Sequence, residues 1–352
     1  MKKILIAGAN GFVGTSLIES LIQNDDGEIH ALVRSETKGS HFSTSVKLVV
    51  GDLLDEESLP VSDSESQALG GYDAAYYLVH GLKGEAQDFE FQEAKAAANF
   101  TAWMRKIGCK KIIYLGALGP ERDESPHLRS RHLAGKILTL AGIPCLEFRA
   151  SIVIGAGSTS FEMIKALSER LPFSPDFKRI ENLCQPIALA DLLTYLRSAL
   201  NWTGEESRVV EIGGEDQISY SGLMKMYLKM NHRKKKVFKV PPVDDRVFKA
   251  LLDLVIPEMA DVGKKLYDSL VHETIVTNRR AQELFPDLKP MGCAKAMEVA
   301  VNESKTTYPH LWEKEMILFL LKEKIVQPQD LGAWLLDRNL VKTFLKFRGG
   351  HQ

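Results

Sequence analysis

The segment Ile4-Leu5-Ile6-Ala7-Gly8-Ala9-Asn10-Gly11-Phe12-Val13-Gly14 constrains the chain more than any other: an apolar strand runs straight into three glycines spaced three apart, and a helical pattern follows. Glycines at 8 and 11 allow a sharp turn and a close backbone approach to a pyrophosphate, which a Cβ would push away. Gly14 lets the helix expected over 12–23 pack tightly on the strand. The N-terminal N–H groups and positive dipole end of that helix then point at the phosphates. Gly8, Asn10, Gly11, Phe12, Val13 and Gly14 are therefore candidate contacts to a dinucleotide. A glycine triplet also serves purely structural turns, but here a second strand over 28–33 follows at the spacing of a βαβ unit.

Strand-like runs recur at 4–7, 29–33, 46–50, 74–79, 111–115 and 145–150, with helical patterns at 85–107 and 130–141. Such alternation predicts an α/β fold: a Rossmann-type, doubly wound parallel sheet covered on both faces. Residues 59–71 are polar and rich in Ser and Gly, which marks a surface excursion. Beyond Ala150 the alternation loosens into a helix at 161–170, another at 191–201 and a last strand at 209–212. From Val243 the pattern is helical, broken at Pro257, Pro286, Pro290, Pro309 and Pro328. The expected organisation is a body over 1–300 and a helical C-terminal extension over 301–352. Within the body, 1–150 forms the core of the nucleotide-binding domain, and 151–300 adds the remaining sheet and a smaller substrate lobe.

Lys and Arg total 45 against 46 Asp and Glu, so no global charge draws the chain to nucleic acid or an anionic membrane surface. The basic run His232-Arg233-Lys234-Lys235-Lys236 reads as a solvated loop. Cys109, Cys145, Cys184 and Cys293 are widely separated with no Cys-x-x-Cys pair, as in a reducing cytoplasm, and no cluster of metal ligands stands out. No apolar run is long enough to span a membrane. In the tail, Trp312, Met316, Ile317, Phe319, Leu320, Trp334, Leu335, Leu340, Phe344 and Phe347 form amphipathic patterns with Lys342, Lys346 and Arg348. Packing against the body is the expectation, with dimer contact or peripheral membrane docking as the alternative.

Arg34 ends the second strand, twenty residues after Gly14, where a dinucleotide fold reads the adenosine ribose. An arginine there accommodates the 2′-phosphate of NADP, whereas an acidic residue favours NAD. NADP(H) is thus the preferred cofactor, and nearby Glu36 leaves NAD(H) open. After the third strand, Asp52 and Leu53 sit where a carboxylate accepts from an adenine amino group, or where an aspartate opens a helix.

These motifs resemble the atypical short-chain dehydrogenase/reductases, in particular the NmrA-like NAD(P)-binding group and its bacterial YbjT-like members. The likeness rests on residues 8–14, Val33-Arg34, Gly51-Asp52-Leu53 and Tyr76-Tyr77-Leu78-Val79-His80. It continues through Tyr114-Leu115-Gly116-Ala117-Leu118-Gly119, Ser125-Pro126-His127-Leu128-Arg129-Ser130-Arg131, Arg149-Ala150-Ser151-Ile152-Val153-Ile154-Gly155 and Cys184-Gln185-Pro186-Ile187. His272-Glu273-Thr274-Ile275-Val276 and Glu283-Leu284-Phe285-Pro286 extend it to about residue 300. The resemblance implies that Leu78, Val79 and His80 line the cofactor after strand four, and Ala117 and Leu118 after strand five.

Fully active members of that superfamily use a Ser after strand five and a Tyr-x-x-x-Lys pair on the next helix. Here Gly116 or Ala117 replaces the Ser, and His127 and Arg131 replace the pair. A tyrosine beside a lysine exchanges protons near neutrality, whereas an arginine stays charged. His127 and His80 are the candidate proton-transfer residues, with Arg131 as an anchor for ribose hydroxyls or phosphate. The alternative is that these side chains are structural. Arg149 binds a substrate anion or pairs with a carboxylate.

The resemblance implies an NADP(H)-dependent oxidoreductase acting on a small-molecule substrate. A non-catalytic NAD(P) redox sensor with a regulatory protein partner is the first alternative. A nucleoside-diphosphate-sugar epimerase is the second, and it lacks its Tyr-Lys pair.

Overall fold

A computed structural model describes residues 1–61, 71–80, 89–122, 125–171, 174–176, 178–231, 237–239, 245–270, 272–305 and 321–322. The strands β1 (Lys3–Ala7), β2 (Glu28–Val33), β3 (Val46–Val50), β4 (Ala74–Tyr77), β5 (Ile112–Ala117), β6 (Cys145–Ala150) and β7 (Arg208–Ile212) form one seven-stranded sheet. Its spatial order is β7-β6-β5-β4-β1-β2-β3 and every pairing is parallel, as the sequence pattern predicts. Helices α1 (Phe12–Gln23), α2 (Phe89–Lys106), α3 (Pro126–Thr139), α4 (Thr159–Arg170) and α5 (Leu189–Ser198) follow in chain order.

The central strand shows why both faces must be covered. Ile4, Leu5, Ile6 and Ala7 are all wholly buried, so neither side of the pleat is left to water. Ile4 and Ile6 join Leu17, Ile18 and Leu21 of α1 and Leu192 and Leu196 of α5 in one core layer. Leu5 and Ala7 join Ala97, Phe100 and Met104 of α2 and Ala134 and Leu138 of α3 in the other. Tyr77 anchors this second layer, its ring 5.0 Å from that of Phe100 and 5.8 Å from that of Tyr114. Leu48 and Val50 of the edge strand β3 are exposed, and among the described residues no strand pairs beyond it.

Several element boundaries differ from the sequence expectation. The helix expected at 130–141 starts four residues earlier, since Ser125 caps it by accepting from the Leu128 N–H and Pro126 occupies its first turn. The helix expected at 191–201 ends at Ser198 and closes with a tighter turn, Ala199–Asn201. All four cysteines are buried and free, and burial raises each thiol pKa.

The chain divides into two compact units, one of residues 1–161, 182–218 and 265–304 and the other of 162–181, 219–264 and 305–352. The first contains the whole large sheet. In the second, Ser174–Asp176 pairs in parallel with Val237–Lys239, and Arg170 ties the carbonyl of Val255 (2.6 Å) to the carboxylate of Glu258 (2.8 Å). Residues 62–70 of the surface excursion expected over 59–71, the basic run at 232–236 and nearly all of the tail beyond 305 lie outside the described residues. Among the described residues no helix is long and apolar enough to cross a membrane.

Candidate functional site

Strand order reverses between β1 and β4, which opens a crevice at their C-terminal ends, where open α/β sheets bind ligands. Gly8 leaves β1 with φ +88°, and a Cβ there would sit 2.6 Å from the carbonyl carbon and oxygen of Leu78. The Leu78 N–H in turn donates to the Ala7 carbonyl at 2.8 Å, so the exits of β1 and β4 are pressed together. The Gly11 N–H closes the turn onto the Gly8 oxygen at 3.0 Å, and a Cβ on Gly14 would lie 2.2 Å from that same oxygen. Gly8 and Gly14 are thus required by the fold itself.

Gly11 is different. A Cβ there meets only the Gly8 oxygen, at 3.2 Å, and the residue is exposed. It is also the N-cap of α1 and offers no side chain to the first-turn N–H groups of the helix. Those groups are left for an external acceptor, which is the chemistry of an anion site. Asn10 is exposed beside it, while Val13 packs on the core. The Phe12 ring lies over Gly155 and Gly157, whose added Cβ atoms would be 3.1 and 3.7 Å from it.

Parallel strands bring the other candidates to the same sheet edge. Arg34, first residue past β2, is exposed and pairs with no acidic group among the described residues. Asp52 follows β3 and folds its own loop, its Oδ1 accepting from the Leu54 N–H at 2.9 Å while its N–H donates to Ser58 Oγ at 2.8 Å. Leu53 is buried, and its carbonyl accepts from Asn99 Nδ2 at 2.8 Å. Ala117, at the end of β5, brings no hydroxyl, and its carbonyl lies 3.2 Å from His132 Nε2.

Past β4 and β5 a polar cluster forms. His80 Nε2 and His127 Nε2 are 3.3 Å apart, and His80 Nδ1 is 3.5 Å from Glu93 Oε1. The second Glu93 oxygen accepts from Ser130 Oγ. Arg131 is buried, donates to the carbonyls of Val79 (2.8 Å) and Leu115, and lies 3.7 Å from Glu93. Its guanidinium clamps the exits of β4 and β5 to each other. Burial, the neighbouring His80 and the Arg131 cation lower the pKa of His127 to about 3, against the attraction of Glu93. His80 is lowered too, chiefly by burial, with Glu93 opposing. Burial raises the phenols of Tyr77 and Tyr114 above their usual range, and the Tyr114 hydroxyl donates to the Arg131 carbonyl at 2.8 Å.

Sequence reasoning passed over Glu93 and Ser130. A signal existed for the first: Glu93 shares the 3-and-4 spacing of Ala96, Ala97 and Phe100, the buried face of α2, and a carboxylate on such a face needs a partner. Arg149, read as an anion ligand or an ion-pair partner, pairs with Glu147 at 2.8 Å and Glu121 at 2.9 Å.

Residues 8–139 match the family model described as NAD(P)H-binding, which spans the glycine turn, the exits of β2 to β5 and helix α3. The chain carries a Rossmann-type NAD(P)-binding domain. No curated protein sequence matches it. Among solved structures, this Rossmann-type chain is similar to the triphenylmethane reductase of Citrobacter sp. complexed with NADP(H), at 18% identity and TM-score 0.63 over 84% of this chain and 99% of that one. The NADPH-dependent quinone oxidoreductase QOR2 of Escherichia coli complexed with NADPH matches at 18% identity and TM-score 0.64, over 84% and 98%. The UDP-glucuronic acid 4-epimerase of Bacillus cereus in complex with NAD matches at 16% and TM-score 0.62, over 85% and 96%. Likeness at these identities shows the fold alone.

Proposed function

We propose that the protein is an NADP(H)-preferring oxidoreductase acting on a small-molecule acceptor. The observation that carries this reading is the uncapped glycine turn between the exits of β1 and β4, with a pair of imidazoles beside it. The first-turn N–H groups of α1 hold the pyrophosphate, with Gly11 leaving the space for it. Arg34 is the residue for a 2′-phosphate, through a charge-assisted contact that no described acidic side chain competes for. Leu78, Val79 and Ala117 line the nicotinamide end, and His80 and His127 hold or move the proton. When bound, the nicotinamide supplies or accepts hydride. The triphenylmethane reductase and the quinone oxidoreductase similar in fold support dye-like and quinoid acceptors as the first to test.

Calorimetry with NADP(H) and NAD(H), followed by stopped-flow NADPH oxidation with quinones, aldehydes and enones, tests the reading. Tighter NADP(H) binding and oxidation above the uncatalysed rate are expected. One second reading has its own observation: Arg131, at the position of the superfamily lysine, is wholly engaged with two backbone carbonyls and Glu93, and Ala117 supplies no hydroxyl. That arrangement suits a redox sensor with a protein partner. Nucleotide binding that alters protease sensitivity, with no acceptor reduced, replaces the enzyme reading by this one.

A further inference from the structure

The Phe12 side chain ties the glycine turn to a second turn, one that the proposed chemistry leaves unused. Past β6 the chain pairs Val153–Ile154 in parallel with Ile187–Ala188 and then turns back on itself. Ser158 closes that turn: its N–H donates to the Gly155 carbonyl at 3.0 Å, and its Oγ donates to the Val153 carbonyl at 2.7 Å. The same Oγ accepts from the Phe161 N–H at 3.2 Å, so the turn also opens α4. Two bare backbone positions in it face the Phe12 ring. A Cβ on Gly155 would lie 3.1 Å from Phe12 Cζ and 2.9 Å from Leu189 Cβ, and one on Gly157 would lie 3.7 Å from Phe12 Cε2. The tip of the ring thus meets Gly155 and its edge meets Gly157, with the first residue of α5 beside it. A side chain at 155 would take the seat of the ring.

Phe12 is also the first helical residue of α1, directly after the N-cap Gly11. Its N–H is one of the first-turn donors that no intrahelical carbonyl can satisfy. One residue therefore carries both a donor for the pyrophosphate and the ring that Gly155 and Gly157 seat. Opening of the second turn removes that seat and frees the backbone at the start of α1. A pyrophosphate bound to the Phe12 N–H holds the ring where it is. By linkage, each event stabilises the other.

We infer that Phe12 is a positioning residue that couples nucleotide binding at the glycine turn to closure of the turn at 153–158, through the seat of its ring on Gly155 and Gly157. The inference rests on the cofactor reading and extends it to the acceptor side of the crevice. The coupled turn follows β6, whose last residue, Ala150, stands in register with Ala117 at the end of β5. A bound nucleotide thereby fixes the backbone next to the strand exits where the acceptor meets it.

The test is hydrogen exchange, read by mass spectrometry on peptides covering 153–161 of the full chain, with and without NADPH, for the wild type, Phe12→Ala and Phe12→Leu. Calorimetry fixes each Kd, so that all three are compared with NADPH about a hundredfold above it, where an opening that excludes the nucleotide slows by up to about a hundredfold. Exchange at 153–161 in the wild type is expected to slow by about tenfold or more. In Phe12→Ala the turn opens without disturbing the nucleotide, which still binds through the other first-turn N–H groups, so the slowing should fall below about threefold. Phe12→Leu keeps the Cδ atoms that face Gly157 and loses the Cζ that meets Gly155, and its slowing should fall between the two. A ring that is merely structural speeds exchange in Phe12→Ala equally with and without NADPH and leaves their ratio at the wild-type value, which overturns the coupling. Wild-type exchange at 153–161 that ignores bound NADPH overturns it as well. A wild type that binds no NADPH in calorimetry overturns the cofactor reading, and the coupling with it. If Phe12→Ala does not fold, the Phe12→Leu ratio decides by the same rule.

Discussion

Replacing Gly11 by Val separates binding from folding, because the three glycines of the turn serve different masters. The backbone at Gly11 is φ −78° and ψ 163°, extended geometry that valine adopts freely, and its Cβ would meet only the Gly8 oxygen at 3.2 Å. Loss of a favourable N-cap residue costs about 1 kcal/mol. For a unit of this size that is a Tm decrease of roughly 2–4 °C. The isopropyl group, however, stands in front of the first-turn N–H groups of α1, so NADP(H) binding should weaken at least a hundredfold, ~2.8 kcal/mol. Gly14→Ala is the control, since its Cβ would be 2.2 Å from the Gly8 oxygen and the backbone itself must move. That variant should lose the fold as well as the ligand. Thermal unfolding with and without NADP(H), beside calorimetry, reads both quantities. A folded Gly11→Val that binds at wild-type strength refutes the turn as a pyrophosphate site.

Arg34→Ala should reduce the preference for NADP(H) over NAD(H) by about tenfold or more in calorimetry, since a charge-assisted phosphate contact is lost; an unchanged ratio removes Arg34 from the site. Gly135→Ala should lower the Tm, because its Cβ would sit 2.7 Å from the buried Glu147 carboxylate that pairs with Arg149. The overpacking cost of about 1–3 kcal/mol exceeds alanine's helix advantage of roughly 1 kcal/mol, so a raised Tm would contradict the packing described. His30, His80 and His127 all have folded pKa values depressed chiefly by burial. The folded state therefore binds fewer protons than the unfolded chain below pH 6.5, and stability present above that pH is lost as pH falls toward about 3, the value for His127. Denaturant titrations between pH 7 and pH 4 should show the loss, with a shallower slope in His127→Gln; a flat profile would count against the lowered imidazole pKa values.

What the sequence settled by itself is local and periodic. Glycines three apart after an apolar strand specify a turn that only bare backbone permits, and the alternation of strand and helix specifies a parallel sheet. Candidate site residues were legible because they follow strand ends, and parallel strands deliver all their C-terminal ends to one edge. Arg34 could be read from its place at the end of the second strand, whereas Leu78, Val79, His80 and Ala117 came as what the family resemblance implies for the exits of the fourth and fifth strands. Other features required the tertiary structure. Whether Gly8, Gly11 or Gly14 serves the fold or the ligand depends on how closely β1 approaches β4, a distance no spacing encodes. Arg131 reads in sequence as an anchor for ribose hydroxyls or phosphate, yet packing turns it inward to clamp two strand exits. Glu93 reads as one more helix charge until α2 docks and sets it beside His80 and Arg131. Charge and hydrogen-bond geometry fall off over a few ångströms, so the pairing of residues far apart in the chain is decided only when the helices close on the sheet.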